Sequence, residues 1–132
     1  MSTSCRIGIE NKDGTISAIR CHADGYVEHT GRRLLQHYTD ADKVQRLIAL
    51  GDISELGERV DPIGPHSWNA KESGTTVAYC RDRGEPLSAS QLTTWEDIKY
   101  GGTFAYVFFA GSWLWARINH QDWTRMEPEE TG

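Results

Sequence analysis

Between Arg20 and Tyr38 the chain reads RCHADGYVEHTGRRLLQHY, a stretch that holds Cys21, His22, Asp24, Glu28, His29 and His37. Imidazole and carboxylate groups both offer electron pairs at neutral pH. The H-x-D-x3-E-H group from His22 to His29 therefore has the residue types used for metal ligation or proton transfer. His22 and Asp24 stand two apart at an expected strand end, where alternate side chains leave on one face. The spacing matches no ligand pattern, however, and an Asp24-Gly25 turn need not return Glu28 toward His22. In the simpler reading Asp24 bonds the backbone of its own turn and His22 sits at a sheet edge. No catalytic set, metal or cofactor is assigned; His22, Asp24, Tyr26 and Glu28 stand as candidate binding residues.

A second polar group, YCRDRGE, delivers Arg81, Asp82, Arg83 and Glu85 from an expected strand end into a loop closed by Gly84. Guanidinium groups are planar and bidentate, so Arg81 and Arg83 are candidates to fork a phosphate or carboxylate. The plainer alternative is a surface network of arginines and acids, worth ~0–1 kcal/mol per pair. Trp68, in an aperiodic loop upstream, joins these four as a candidate contact residue. Trp113 and Trp115 could stack bases, although large aromatics on a strand more often serve a core or an interface. No nucleophile elbow, P-loop, zinc-protease helix or dinucleotide fingerprint is present.

The rest of the composition bounds the function. The chain has 132 residues, one domain's worth, and no apolar run near the ~20 residues of a membrane helix. The start, MSTSCRIGIE, shows no secretion signal, and a cytoplasmic location is expected. Cys5, Cys21 and Cys80 form no CxxC pair and read as small buried or half-buried thiols. A net charge of −5 disfavours nucleic acid as a partner. The acidic run EPEE near the end reads as part of a solvated tail.

The elements that must position these groups follow from periodicity. Cys5, Ile7 and Ile9 alternate with Arg6, Gly8 and Glu10, which predicts a strand; NKDG supplies a turn, and Thr15 to His22 a second strand. In that second strand Ile16 and Ala18 stand on one parity and Ile19 and Cys21 on the other. Either both faces are covered or a bulge resets the register. A helix is expected over 31–38 with Thr30 as N-cap, and another after Thr39, with Val44, Leu47 and Ile48 on one face and Gly51 as its stop. DISELG reads as a short turn and 58–74 as a long loop of the kind that is functional or mobile. A strand over 75–80 follows, then a short helix around 94–100 capped by Thr93 or Thr94. TFAYVFFAGSWLWARI predicts a closing hairpin about a type II′ turn at Gly111-Ser112, its first strand covered on both faces. The sum is α+β: an antiparallel sheet of about five strands with two or three helices packed on it, a single domain over 1–118 and a polar tail over 119–132.

Five stretches, CHADGYVEHTG, LLQHY, KVQRLIALGDISELG, TTVAYCRDRGE and YVFFAGSWLW, resemble the pattern of a family of small uncharacterised proteins common in phage and prophage genomes. The resemblance covers about residues 5 to 118. The departures are Ala23 where the family has Trp, Val27 where it has Pro, and His29-Thr30 where small or branched residues are usual. It implies a phage-type accessory protein acting by binding to a host protein or defence complex, an inhibitor of anti-phage defence such as an anti-CRISPR. The alternative is a protein that sequesters a cyclic-nucleotide or ADP-ribose type ligand; an enzyme using His22, Asp24 and Glu28 is less favoured. The binding readings need the His22 and Arg81 corners to share one exposed patch.

Overall fold

The computed structural model describes residues 3–120 and 122–127. β1, Cys5–Glu10, and β2, Ile16–Cys21, form a continuous antiparallel hairpin from Cys5 opposite Cys21 to Glu10 opposite Ile16. Asp13 closes the turn by accepting the Thr15 amide at 3.0 Å and its hydroxyl at 2.6 Å, while Gly14 takes φ +88°. With no break in register there is no bulge. Both faces of the strand are covered: Ile19 and Cys21 join the main core, Ile16 and Ala18 a second, smaller one.

The first helix starts earlier than expected. A π-helical turn, Val27–Gly31, runs directly into α1, Arg32–His37. Thr30 is therefore inside the helical run, buried, and its hydroxyl donates to the Asp24 carbonyl at 2.7 Å instead of capping an amide. α2, Ala41–Ala49, is capped by the Asp40 carboxylate, which accepts the Asp42 amide, and not by Thr39. Val44, Leu47 and Ile48 face the main core as their spacing requires, and Gly51 ends the run at φ +76°.

DISELG is more than a turn. It contains β3, Ile53–Glu55, which lies parallel to β2 at Cys21 and antiparallel to β4, Val77–Ala78. The strand expected over 75–80 is only β4, because the chain turns at Tyr79 into a short helix α3, Tyr79–Arg83, closed by Gly84 at φ +77°. An extended strap then supplies β5, Gln91–Thr93, antiparallel to β2 at Ile16 to Ala18. The turn at Asp97–Tyr100 is 3-10 helical, and the Thr94 hydroxyl accepts the Asp97 amide at 3.1 Å.

β6, Phe104–Phe109, and β7, Ser112–Arg117, form the closing hairpin. Its two turn residues are Ala110 and Gly111, at φ +51° and +79°. That is the pattern of a type I′ turn one residue before the expected Gly111-Ser112. β6 runs parallel to β1, with Cys5 opposite Phe104, and is central and doubly covered: Tyr106 and Phe108 in the main core, Ala105 and Val107 in the second. Trp113 is buried with its indole N–H on the Tyr38 carbonyl at 2.8 Å, and Trp115 packs on Phe104, so this stripe is packed against the sheet's own core.

The class is α+β, and the sheet is mixed rather than antiparallel. Among the described residues it has eight strands in the order β4-β3-β2-β1-β6-β7-β8, with β5 also on β2. β8, Thr124–Arg125, pairs with β7, and Met126 is buried, so the chain through 127 adds to the sheet where a polar tail was expected. Most of EPEE lies outside the described residues. Helices α1 and α2 cover one face; Ile98, Trp95 and Trp123 cover part of the other. No helix among the described residues is long and apolar enough to cross a membrane.

Gly8 marks how tightly the second face is closed. A Cβ there would stand 2.5 Å from Ile16 Cγ2 and 3.1 Å from Ile98 Cδ1. We predict that Gly8→Ala lowers stability in urea by about 1–3 kcal/mol through overpacking; an unchanged midpoint would mean that Ile98 does not close this face.

Candidate functional site

Asp82 is the centre of the YCRDRGE group, and its side chain is only 3% exposed. Its Oδ2 accepts the Ala78 amide at 2.8 Å, which satisfies a donor at the start of α3. Arg81 grips the same carboxylate with two bonds, Nε to Oδ1 at 2.8 Å and a terminal nitrogen to Oδ2 at 3.1 Å. His66 Nδ1 accepts the Glu72 amide, so the ring proton resides on Nε2, which lies 3.0 Å from Asp82 Oδ2 but off the line of a full hydrogen bond. Burial alone would push the Asp82 carboxyl up. The Arg81, Ala78 and His66 contacts outweigh it and hold the group down at about 2.

Arg81 makes four hydrogen bonds within the fold and turns a terminal nitrogen toward Asp61 at 3.6 Å, so it forms no ligand fork with Arg83. Beyond Asp82 it donates to the carbonyls of Val60 at 2.7 Å and Thr76 at 2.6 Å. Arg83 turns elsewhere, onto the ring of Trp68 at 5.0 Å and toward Glu85 at 3.2 Å. The expected fork is therefore replaced by a clamp, because the segment forms a helical turn whose first amide and whose neighbouring loop both require the same carboxylate. The clamp orders the 58–74 loop. Glu72, held at about 2 chiefly by the Thr75 hydroxyl, also accepts the Ile63 amide and Arg59. Trp68 is half-buried against Tyr79, with ring centroids 5.4 Å apart.

The other corner is looser. Asp24 takes a left-handed φ of +56° and stands 4.0 Å from His29. Gly25 is fixed by accepting the Tyr106 hydroxyl at 2.7 Å and donating to Thr3. A Cβ at Gly25 would run into the Cys5 backbone, so the turn can seat only glycine there. Tyr26 and Glu28 are exposed, and Tyr26 leans on His29. Among the described residues no three of His, Cys, Asp and Glu gather to hold a metal. Cys5 and Cys21 are buried cross-strand neighbours, and burial pushes the Cys5 thiol up.

The two corners meet in part. His22, exposed at the end of β2, lines a shallow cleft of about 260 Å³ with Tyr79, Glu85 and Ser88. Asp82 and most of Arg81 are turned inward and lie outside it. Beside it, and sharing Arg20, Asp52 and Ser88, opens a larger cleft of about 460 Å³ lined also by Arg6 and Gln91. Sequence reading passed over Arg6 and Arg20. Each looks like the solvent side of an alternating strand, and only the hairpin register sets them opposite one another.

The fold and clefts thus define a mixed-sheet α+β domain with one polar, partly open sheet face. No protein-family model, curated protein or solved structure matches the chain.

Two outcomes test the clamp. Asp82→Ala should cost on the order of 3 kcal/mol, since it strands Arg81, His66 and the Ala78 amide, and should make the 58–74 loop the first site of proteolytic cutting. A depressed carboxyl stabilises the fold above its unfolded value and withdraws that support as pH falls through the folded one. With Asp82 moving from 3.8 and Glu72 from 4.5, each to about 2, native stability should fall between pH 4.5 and 2. A flat acid titration of the melting temperature over that window would contradict the assignment.

Proposed function

We propose that the protein acts by binding, as a phage-type accessory protein that inhibits a host anti-phage defence system, CRISPR–Cas interference being the example. The resemblance of its motifs to a phage protein family supports the reading. The structural observation that carries it is the strap from Gly84 to Leu92. This segment runs exposed across the cleft holding His22 and Glu85, and it turns Leu87 and Leu92 outward at 55% and 72% exposure. Its end, β5, bonds to β2 alone among the described residues, which leaves an outer edge there to receive a partner strand. Apolar tips beside that edge, with His22 and Glu85 in the cleft at the start of the strap, suit a protein partner whose groove takes the leucines while main-chain bonds set the register. The acidic balance of the chain favours a basic partner surface.

A second reading, sequestration of a small phosphorylated molecule, is favoured by the arginine-lined cleft beside this face, in place of the Arg81–Arg83 segment.

For the first reading, the full chain expressed in a defended host should raise phage plating and co-purify a component of the defence system. Leu92→Asp should abolish both while leaving the melting temperature unchanged. Unaltered plating, or full activity in the Leu92→Asp variant, would remove the strap as the inhibitory surface.

A further inference from the structure

We propose that the cleft between Arg6 and Arg20 is a binding site for a phosphorylated, hydroxyl-bearing small molecule of the mononucleotide class. The proposal deepens the sequestration reading and does not depend on defence inhibition.

Arg6 and Arg20 are directly opposite in the β1–β2 hairpin, so their side chains leave on the same face of the sheet. Both line the same cavity of about 460 Å³, a size within the range of small-ligand sites. Like charges placed directly opposite one another destabilise a sheet pair. Nothing among the described residues relieves this pair by direct bonding. Among the described residues neither guanidinium donates a hydrogen bond, although each carries five N–H donors. Arg6 is acted on by the fields of Asp52 and Asp97, beyond ion-pair distance, and partial burial still lowers its pKa. Its stem lies over Gly101, where any Cβ would collide with it, so the side chain is held across the cleft mouth. Desolvation has thus been incurred at Arg6 without a hydrogen-bonding partner, and an anion bound between the two guanidiniums would recover it.

The remaining lining argues for more than a bare anion. Asp52 uses one carboxylate oxygen to accept the Arg20 amide at 3.0 Å, leaving the other as an acceptor. Ser88 and Gln91 border the cleft from the strap, and Ala18 and Ile19 form its floor. An acidic acceptor beside two arginines disfavours a polyanion such as a nucleic acid strand. It suits a ligand that offers one phosphate to the arginines and hydroxyl or amino donors to Asp52.

Calorimetric titration of the full chain at low salt with inorganic phosphate, ribose 5-phosphate and a nucleoside monophosphate tests this. Affinity should rise in that order. Arg6→Gln and Arg20→Gln should each weaken nucleotide binding at least about tenfold, which corresponds to ~1.4 kcal/mol. Lys12→Gln, an exposed charge change in the distant hairpin turn, should leave it unaltered. Because the Arg20 side chain is exposed and its guanidinium makes no hydrogen bond among the described residues, Arg20→Gln should melt no lower than wild type without ligand, so its loss of binding cannot be ascribed to misfolding. No nucleotide binding by the wild type, or binding that survives both substitutions, would overturn the site. Equal affinity for inorganic phosphate and nucleotide would overturn the ligand class. Direct binding is the readout, so a negative plating assay leaves this result standing, and the reverse also holds.

Discussion

A carboxylate with a side chain only 3% exposed stays ionised only if its oxygens are fully engaged, and at Asp82 they are. The Ala78 amide, the Arg81 fork and the His66 ring converge on it from three places in the chain. Each partner brings a segment with it. The amide fixes where β4 ends and α3 begins. Arg81 carries its remaining donors to Val60 and Thr76, which ties the start of the 58–74 loop to the sheet. His66 holds the middle of that loop through Glu72. Seventeen residues without regular structure are ordered in this way by polar contacts instead of an apolar core of their own.

The clamp also sets what lies outside it. Because α3 closes at Gly84 in a left-handed conformation, the chain leaves as an extended strap and not as a longer helix. That strap runs back beside β2, its Ser88 carbonyl accepting the Asp52 amide and passing so close to Gly51 that a side chain there would meet it. One face of the sheet is sealed by α1 and α2. Among the described residues the other is sealed where Ile98, Trp95 and Trp123 reach, and the strap borders the remainder without filling it. The clefts exist because the second face has a smaller cover than the first.

Much of this was readable wherever local pattern decides structure. The alternation in β1, the stripe of α2 and the two apolar parities of β6 each state which faces will be covered, and they are covered. The split parity of Ile16, Ala18, Ile19 and Cys21 was a true record of two cores. Partner choice between distant strands has no such local record. Nothing near Cys5 announces that Phe104 will lie parallel beside it, and three residues at Ile53 carry no strand period to count. The YCRDRG segment misled for a related reason: a β-rich run before two arginines looks like a strand end, but Asp82 placed four residues after Ala78 favours a helical turn that satisfies the Ala78 amide. Arg6 and Arg20 turned on a single residue of register. A four-residue turn at 11–14 would set Arg6 opposite Ile19; the observed five-residue connection, with Thr15 held by Asp13, sets it opposite Arg20.

That one-residue difference has a physical consequence that reaches the surface chemistry. Had Arg6 faced Ile19, each strand face would have mixed charge with aliphatic carbon, and no cationic pair would arise. In the actual register every apolar side chain of the hairpin finds a core, Cys5 with Cys21 and Ile7 with Ile19 on one side, and the two arginines are left together on the other. Arg20 can keep its head in water, but Arg6 is confined between Gly101 and the strap. The core therefore dictates the charge pair. Shifting the hairpin by one residue to separate the arginines would turn one strand's set out of the main core, either Ile7 and Ile9 or Ile19 and Cys21, at ~1.5–3 kcal/mol for each large aliphatic side chain, more than a half-solvated like-charge contact costs. A fold that must carry such a pair has a standing electrostatic reason to hold an anion there.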